Sequence, residues 1–242
     1  MITRFFSACA DLVWPRRCAG CDREPPLGDG PLCETCHSTV APIDARAACP
    51  RCAAPLCPVA DGRESGAPRC ADCRQLPSLL ARICAPYEYG GALADALLAL
   101  KWRGRDDLAR PLGRLLAPPL RRMMAQAGGF DLLLPVPLHP RRLRERGYNQ
   151  ATLLCREALA AARLPSPQLS PTVLRRVRLD PPTRDAGKIA RFVRTRGAFV
   201  VARPRAVAGR RVLLVDDVVT TGATVLACAT ALVEAGAVHV EA

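Results

Sequence analysis

Eight of the thirteen cysteines fall into four identical spacings: "CAGC" at Cys18 and Cys21, "CETC" at Cys33 and Cys36, "CPRC" at Cys49 and Cys52, and "CADC" at Cys70 and Cys73. Two cysteines three apart on a tight turn aim both sulfurs at one ion, and a second such turn completes a tetrahedron. The segment is rich in Pro and Gly and too short to build a core, so bound metal takes the core's place. A lone CxxC would suit redox chemistry, but only in a thioredoxin-like βαβ setting, which is absent here. Disulfides are disfavoured in a reducing compartment. The spacing predicts two structural zinc sites drawn from Cys18, Cys21, Cys33, Cys36, Cys49, Cys52, Cys70 and Cys73. Sequential pairing of the turns gives two zinc ribbons and interleaved pairing a cross-braced module; spacing leaves both open. His37 and Cys57 lie within reach and are expected to be bystanders. Four thiolates close a zinc site to substrate and water, so this module organises the chain or recruits a protein partner.

The charge is distributed unevenly. The 242-residue chain has a formal net charge of +13, nearly all of it arginine, with lysine only at Lys101 and Lys188. Residues 1–84 hold ten Arg and Lys against nine Asp and Glu, whereas the remainder holds 25 against 13. Eight thiolates around two zinc ions make the front segment more negative still. Contact with phosphate or nucleic acid is therefore expected on the second domain, not on the zinc module. "MITRFFSACADLVW" is too short in its apolar stretch for a secretory signal. Ile2, Phe5, Phe6, Cys9, Leu12 and Val13 recur at helical spacing and predict a short helix docked on the body. No run of about 18 apolar residues could span a bilayer. A cytoplasmic protein without a membrane partner is expected. Cys9, Cys84, Cys155 and Cys228 lack neighbours at metal spacing and are expected to be ordinary buried thiols.

Beyond residue 84 the pattern changes. Leu93, Ala96, Leu97 and Leu100 form one helical stripe, and Leu108, Leu112, Leu115 and Leu116 another. "DLLLPVPL" reads as a buried strand stopped by Pro135 and Pro137, and a helix is expected over about Gln150 to Arg163. "FVVA" at Phe199–Ala202 and "VLLV" at Val212–Val215 have the continuous apolar character of parallel strands covered on both faces. Val225, Cys228, Ala229, Leu232 and Val233 mark a further helix capped near Gly236, and "VHV" opens a last strand. Strands alternating with helices predict an α/β domain with a parallel sheet over 85–242, preceded by the cysteine-rich module of 1–84.

The stretch "VLLVDDVVTTGAT", Val212 to Thr224, concentrates the chemistry. Parallel sheets bind ligands at the carboxyl ends of their strands. A loop of small residues leading into a helix N-terminus presents backbone N–H groups to an anion. Asp216 and Asp217 beside it are poor phosphate ligands, but their oxygens suit vicinal hydroxyls. A phosphate next to two hydroxyls describes ribose 5-phosphate. A carboxylate that merely capped the helix would need one acid and no glycine.

This stretch resembles the phosphoribosyl pyrophosphate (PRPP) motif of type I phosphoribosyltransferases, and the whole chain resembles the ComF family. Further segments that carry the likeness are "YEYGGALADALLALKWRGRDDLARPLGRLL", "LLLPVPLHPRRLRERGYNQA" and "GAF" at Gly197–Phe199. The resemblance implies that Asp216 and Asp217 hold ribose hydroxyls and are the catalytic pair. It assigns the 5-phosphate to Thr220, Thr221, Gly222, Ala223 and Thr224. Pyrophosphate would fall to Arg144, Arg146, Gly147 and Asn149, where guanidinium forks match phosphate oxygens. Arg141 and Arg142 are expected to be solvated surface. Magnesium would accompany PRPP, residues 175–196 would close over the site, and Tyr87 to Arg105 would face an acceptor. The loop departs from the family pattern in lacking a glutamine near Thr183 and an asparagine near Arg194, and Ala242 falls short of where the family completes its last strand. Two functions follow from the resemblance: transfer of 5-phosphoribosyl to an acceptor with release of pyrophosphate, or a PRPP-sensing, DNA-handling module linked to natural transformation.

Overall fold

The computed structural model describes residues 17–23, 26–28, 30–56, 69–75, 79–126, 129–163, 168–179 and 188–242. The expected N-terminal helix, Cys9 and Cys57, and residues 180–187 of the expected closing loop lie outside them. Four strands form one parallel sheet: β1 (Leu132–Pro135), β2 (Gln168–Leu169), β5 (Arg211–Val215) and β6 (His239–Glu241), in the order β2-β1-β5-β6. Every residue of β1 is buried, so the strand carries no polar face. Its pleat still divides the core. Leu132 and Leu134, with Val212 and Leu214 of β5, join one apolar cluster, and Leu133 with Leu213 joins another on the opposite face.

Helices cover both faces. Helices α4 (Ala109–Gln126) and α6 (Gln150–Ala162) pack together over Leu133 and Leu213. They approach closely at Gly113, where an added Cβ would stand 2.5 Å from Glu157 Cβ. On the other face lies α8 (Ala223–Glu234), whose C-terminus is punctuated by Gly236 at φ +92°. With it pack α7 (Lys188–Thr195) and a separate hairpin of β3 (Leu174–Arg176) and β4 (Phe199–Val201). This corrects the reading of Phe199–Ala202 as a strand of the parallel sheet: β4 pairs antiparallel with β3. Val200 points outward at 41% exposure, so β4 is covered on one face only, and its short apolar run does not reveal this.

The cysteine-rich segment is joined to the body at two places. The first pair of turns, with α1 (Glu34–His37), packs Ala19 and Leu32 against α3 (Gly91–Trp102). Gly20 makes that approach possible, since an added Cβ would lie 2.6 Å from Ala92 Cβ. The second pair, with α2 (Ala71–Gln75), shares the cluster of Leu80, Ile83, Leu214 and Val225. Residues 81–84 then run along β6, with bonds from Ala81 N to Val240 O, Ala242 N to Arg82 O and Cys84 N to Ala242 O. Alternation along this extended stretch turns Ile83 inward and Cys84 outward. Cys84 is thus exposed, not the buried thiol expected, whereas Cys155 and Cys228 are buried. Among the described residues no helix is long and apolar enough to cross a membrane.

Candidate functional site

The four cysteine turns pair in sequence order. The sulfurs of Cys18, Cys21, Cys33 and Cys36 form one group and those of Cys49, Cys52, Cys70 and Cys73 a second, all within 4.8 Å of one another in each. Backbone N–H groups point at the sulfurs: Gly20 N and Cys33 N donate to Cys18 Sγ at 3.4 and 3.3 Å, and Cys70 N to Cys49 Sγ at 3.5 Å. Burial alone would raise the Cys49 thiol, yet the backbone N–H groups of Cys70, Arg51 and Cys52 prevail and bring it down to about 6. Clustered, N–H-stabilised thiolates of this kind fit two structural zinc sites. His37 is exposed at the end of α1 and belongs to neither group.

The second site lies where the strand order reverses. The chain leaves β1 towards β2 on one side, while β5 and β6 lie on the other. In such sheets the crevice beyond the carboxyl ends of the strands at this switch receives ligands. Pro135 pairs with Val215, and Val136 N donates to Val215 O at 2.9 Å, so β1 and β5 end level. Residues 136–149 leave from one strand and 216–222 from the other, so that two loops far apart in sequence flank one crevice.

On the β5 side, Asp216 and Asp217 follow the strand directly. Asp217 N donates to Asp216 Oδ1 at 2.9 Å, which fixes the first carboxylate over the second residue's backbone. Burial, then the Asp217 charge, push the Asp216 carboxyl up to about 8. Asp217 Oδ2 instead meets Lys101 Nζ at 2.7 Å, an ion pair with both side chains largely buried. Thr220 is exposed; Gly222 at φ +73° caps α8, and Thr221 Oγ1 accepts a long bond from Ala223 N at 3.4 Å. Ile83 presses on this turn, with its Cδ1 3.2 Å from where a Gly222 Cβ would be.

On the β1 side, α5 (Pro140–Arg146) begins at His139 and ends at Gly147, which adopts φ +83°. Asn149 caps α6: its Oδ1 accepts from Ala151 N, and its Nδ2 donates to Val136 O, each at 3.0 Å. Two of the residues expected to hold pyrophosphate thus also shape the loop. Arg144 is exposed at the end of α5. Arg146 is half-buried beside the crevice: burial lowers the pKa of its guanidinium and the Asp217 charge opposes that shift, while its Nη1 donates to Gln150 Oε1 at 2.5 Å.

Sequence reasoning did not single out Lys101 or Trp102. Tyr148 OH donates to Leu100 O at 2.5 Å and ties the end of α3 to the β1 loop. Lys101 is thereby brought to Asp217, and Trp102 to Arg146 and Arg142, whose Cζ atoms lie 4.7 and 5.9 Å from the ring centroid. Arg142, expected to be plain solvated surface, is part of this cluster. The scarcity of lysine in an arginine-rich chain was the one available signal for Lys101.

A family model described as a double zinc ribbon domain matches residues 9–74. The chain is 31% identical over 232 residues to the DNA utilization protein YhgH of Escherichia coli O157:H7, covering 95% of this chain and 96% of that one. It is 27% identical over 214 residues to the competence protein ComFC of Bacillus subtilis (86% and 80% covered). To competence protein F of Haemophilus influenzae it is 28% identical over 212 residues (86% of each). No solved structure matches it. With a relative of this similarity along nearly its whole length, the chain belongs to the ComF family.

Proposed function

We propose that the chain binds a phosphorylated ribose, of which PRPP is the reference ligand, and that it does so as a DNA-handling protein. The observation that carries the first half is the juxtaposition at the sheet's switch point of two adjacent carboxylates and a small-residue turn into α8, with Arg146 close enough to feel the Asp217 charge. Asp216 and Asp217 accept hydrogen bonds from the ribose hydroxyls, the turn at Thr220 to Thr224 takes the 5-phosphate, and Arg144 and Arg146 take pyrophosphate. Magnesium carried with PRPP would be held near Asp216 and Asp217 and would neutralise charge there. Ligand entry opens the Lys101–Asp217 pair, freeing that carboxylate for the sugar. The second half is supported by the names of the relatives, which refer to DNA utilization and competence.

Phosphoribosyl transfer is a second reading, favoured by one observation. A cavity of about 660 Å³, walled by Tyr87, Leu93, Leu97 and Leu116 among others, opens onto Asp216 and Asp217 and has room for an acceptor.

The test is thermal unfolding with and without PRPP and magnesium. A ligand that binds only the folded site adds about 2.7 kcal/mol at about 100 times its dissociation constant. The native chain is expected to melt higher with ligand, and Asp217→Asn to stay folded but lose most of that rise. No rise in the native chain rules the ribose-phosphate reading out, and an equal rise in the variant moves the ligand away from the acids. Pyrophosphate release with a panel of bases separates transfer from binding.

A further inference from the structure

We infer that Trp102, with the guanidinium groups of Arg142 and Arg146, is a base-stacking platform for single-stranded DNA, beside the acid pair and sharing Arg146 with the proposed pyrophosphate site. The inference rests on the DNA-handling half of the reading above. Trp102 ends α3 with 62% of its surface exposed, and Leu98, one turn earlier on the same helix face, is 38% exposed. A large ring held in water beside a second apolar side chain marks a surface that meets a partner.

The ring is held in place, not left to swing. Tyr148 fixes the end of α3 through Leu100 O, and buried Gln150 fixes Arg146. The charge around it is unbalanced. Arg105 is paired with Asp107 at 2.8 Å and Arg141 with Glu145 at 2.9 Å, whereas among the described residues no carboxylate forms a salt bridge with Arg142 or Arg146. Two guanidinium groups converge on one ring and repel each other. Arg103 and Arg144 add exposed charge on the neighbouring turns. Anionic oxygens relieve that repulsion, and a flat π-face completes the uncovered ring.

Single strands offer both at once, because their bases are free to stack while their phosphates follow the arginines. Duplex DNA offers the phosphates only, its bases being stacked already. An acidic protein segment would likewise match the charge and leave the ring without a stacking partner.

The test uses full-length protein carrying Trp14→Phe, which leaves Trp102 as the only tryptophan of the two in the chain. Oligo(dT) of about 20 nucleotides is expected to quench Trp102 emission and to bind with strong salt dependence. A duplex of equal length is expected to bind without quenching. In the native background, Trp102→Ala is expected to weaken oligonucleotide binding about fivefold to 150-fold, as loss of one base stack would. Trp102→Phe should recover part of that loss. The ligand-free melting temperature and the zinc content of Trp102→Ala are expected to match those of the native chain, which shows the variant folded. Unchanged oligonucleotide binding in Trp102→Ala overturns the platform, as does equal quenching by duplex. Quenching by polyglutamate as strong as by oligo(dT) overturns it too and assigns the surface to an acidic protein. Absence of the PRPP effect in the native chain, with oligonucleotide quenching intact, leaves the platform standing and removes only the ribose-phosphate reading.

Discussion

Burial and the adjacent Asp217 charge push the Asp216 carboxyl up to about 8, far above the value of about 3.9 that an aspartate has in an unfolded chain. Folding without ligand therefore favours the protonated acid, while hydrogen bonds from ribose hydroxyls favour the carboxylate. The sign follows from linkage. An acid whose folded value is raised contributes stability that is complete below about pH 4 and is lost as pH rises through about 8. Between about pH 6 and about pH 9 the ligand-free protein is expected to lose more stability than Asp216→Asn, which mimics the neutral acid throughout, and the difference is of the order of a few kcal/mol. Denaturant unfolding of both proteins at the two ends of that range measures it; parallel slopes would falsify the assignment. The PRPP-dependent stabilisation should grow over the same range. The place of Asp216 and Asp217 at the end of a buried strand was legible in the sequence, because an acid pair stops the apolar run. Lys101 and Trp102 were not, because their partners, Asp217 and Arg146, come from other elements and only the Tyr148–Leu100 bond sets the distance.

Elements whose burial pattern is complete within themselves could be read directly. The strand at Leu132–Pro135 and the helix at Ala223–Glu234 were expected from their apolar runs and glycine punctuation. What could not be read was pairing: Phe199–Val201 has the same apolar character as β5, yet its partner is the edge Leu174–Arg176, chosen by the tertiary position of the hairpin against α8. Helix crossings are equally hidden. Gly113 looks like a weak point inside α4, because glycine disfavours helix by about 1 kcal/mol relative to alanine. Its neighbours reverse that reading, since an added Cβ would meet Glu157 Cβ at 2.5 Å and Ala158 N at 2.9 Å. Backbone cannot step aside as a flexible side chain can. Gly113→Ala is expected to destabilise by about 1–3 kcal/mol despite its better helix propensity. A Gly113→Ala protein as stable as the native chain would mean that α4 and α6 cross less tightly than described.

At the scale of the molecule, the two metal-binding units are joined to different parts of the crevice. The first tetrad backs α3, which carries Lys101 and Trp102, through Ala19, Leu32 and the close approach at Gly20. The second backs the turn at Thr220 to Thr224 by a shorter route. Arg51, buried between Cys49 and Cys52 of that tetrad, donates from Nη1 to Cys73 O at 2.7 Å, and its carbonyl accepts from Ile83 N at 2.9 Å. Ile83 in turn packs on Gly222, the residue whose positive φ sets the entry to α8. Metal at the second tetrad would therefore steady the turn proposed to take the 5-phosphate, without touching that ligand itself. The native protein is expected to carry two zinc ions per chain and Cys73→Ser one, as elemental analysis would read. Cys73→Ser should also lose most of the PRPP-dependent rise in melting temperature, whereas Cys33→Ser, which empties the first tetrad, should keep the larger part of it. Ile83→Val provides the check that does not disturb metal. It removes one methyl from the contact at a cost of about 0.5–1.5 kcal/mol. It should retain both zinc ions yet respond less to PRPP, because the turn is less firmly held. If Cys73→Ser and Ile83→Val both respond to PRPP as fully as the native chain, the second ribbon does not support the phosphate turn, and its role is confined to folding its own segment.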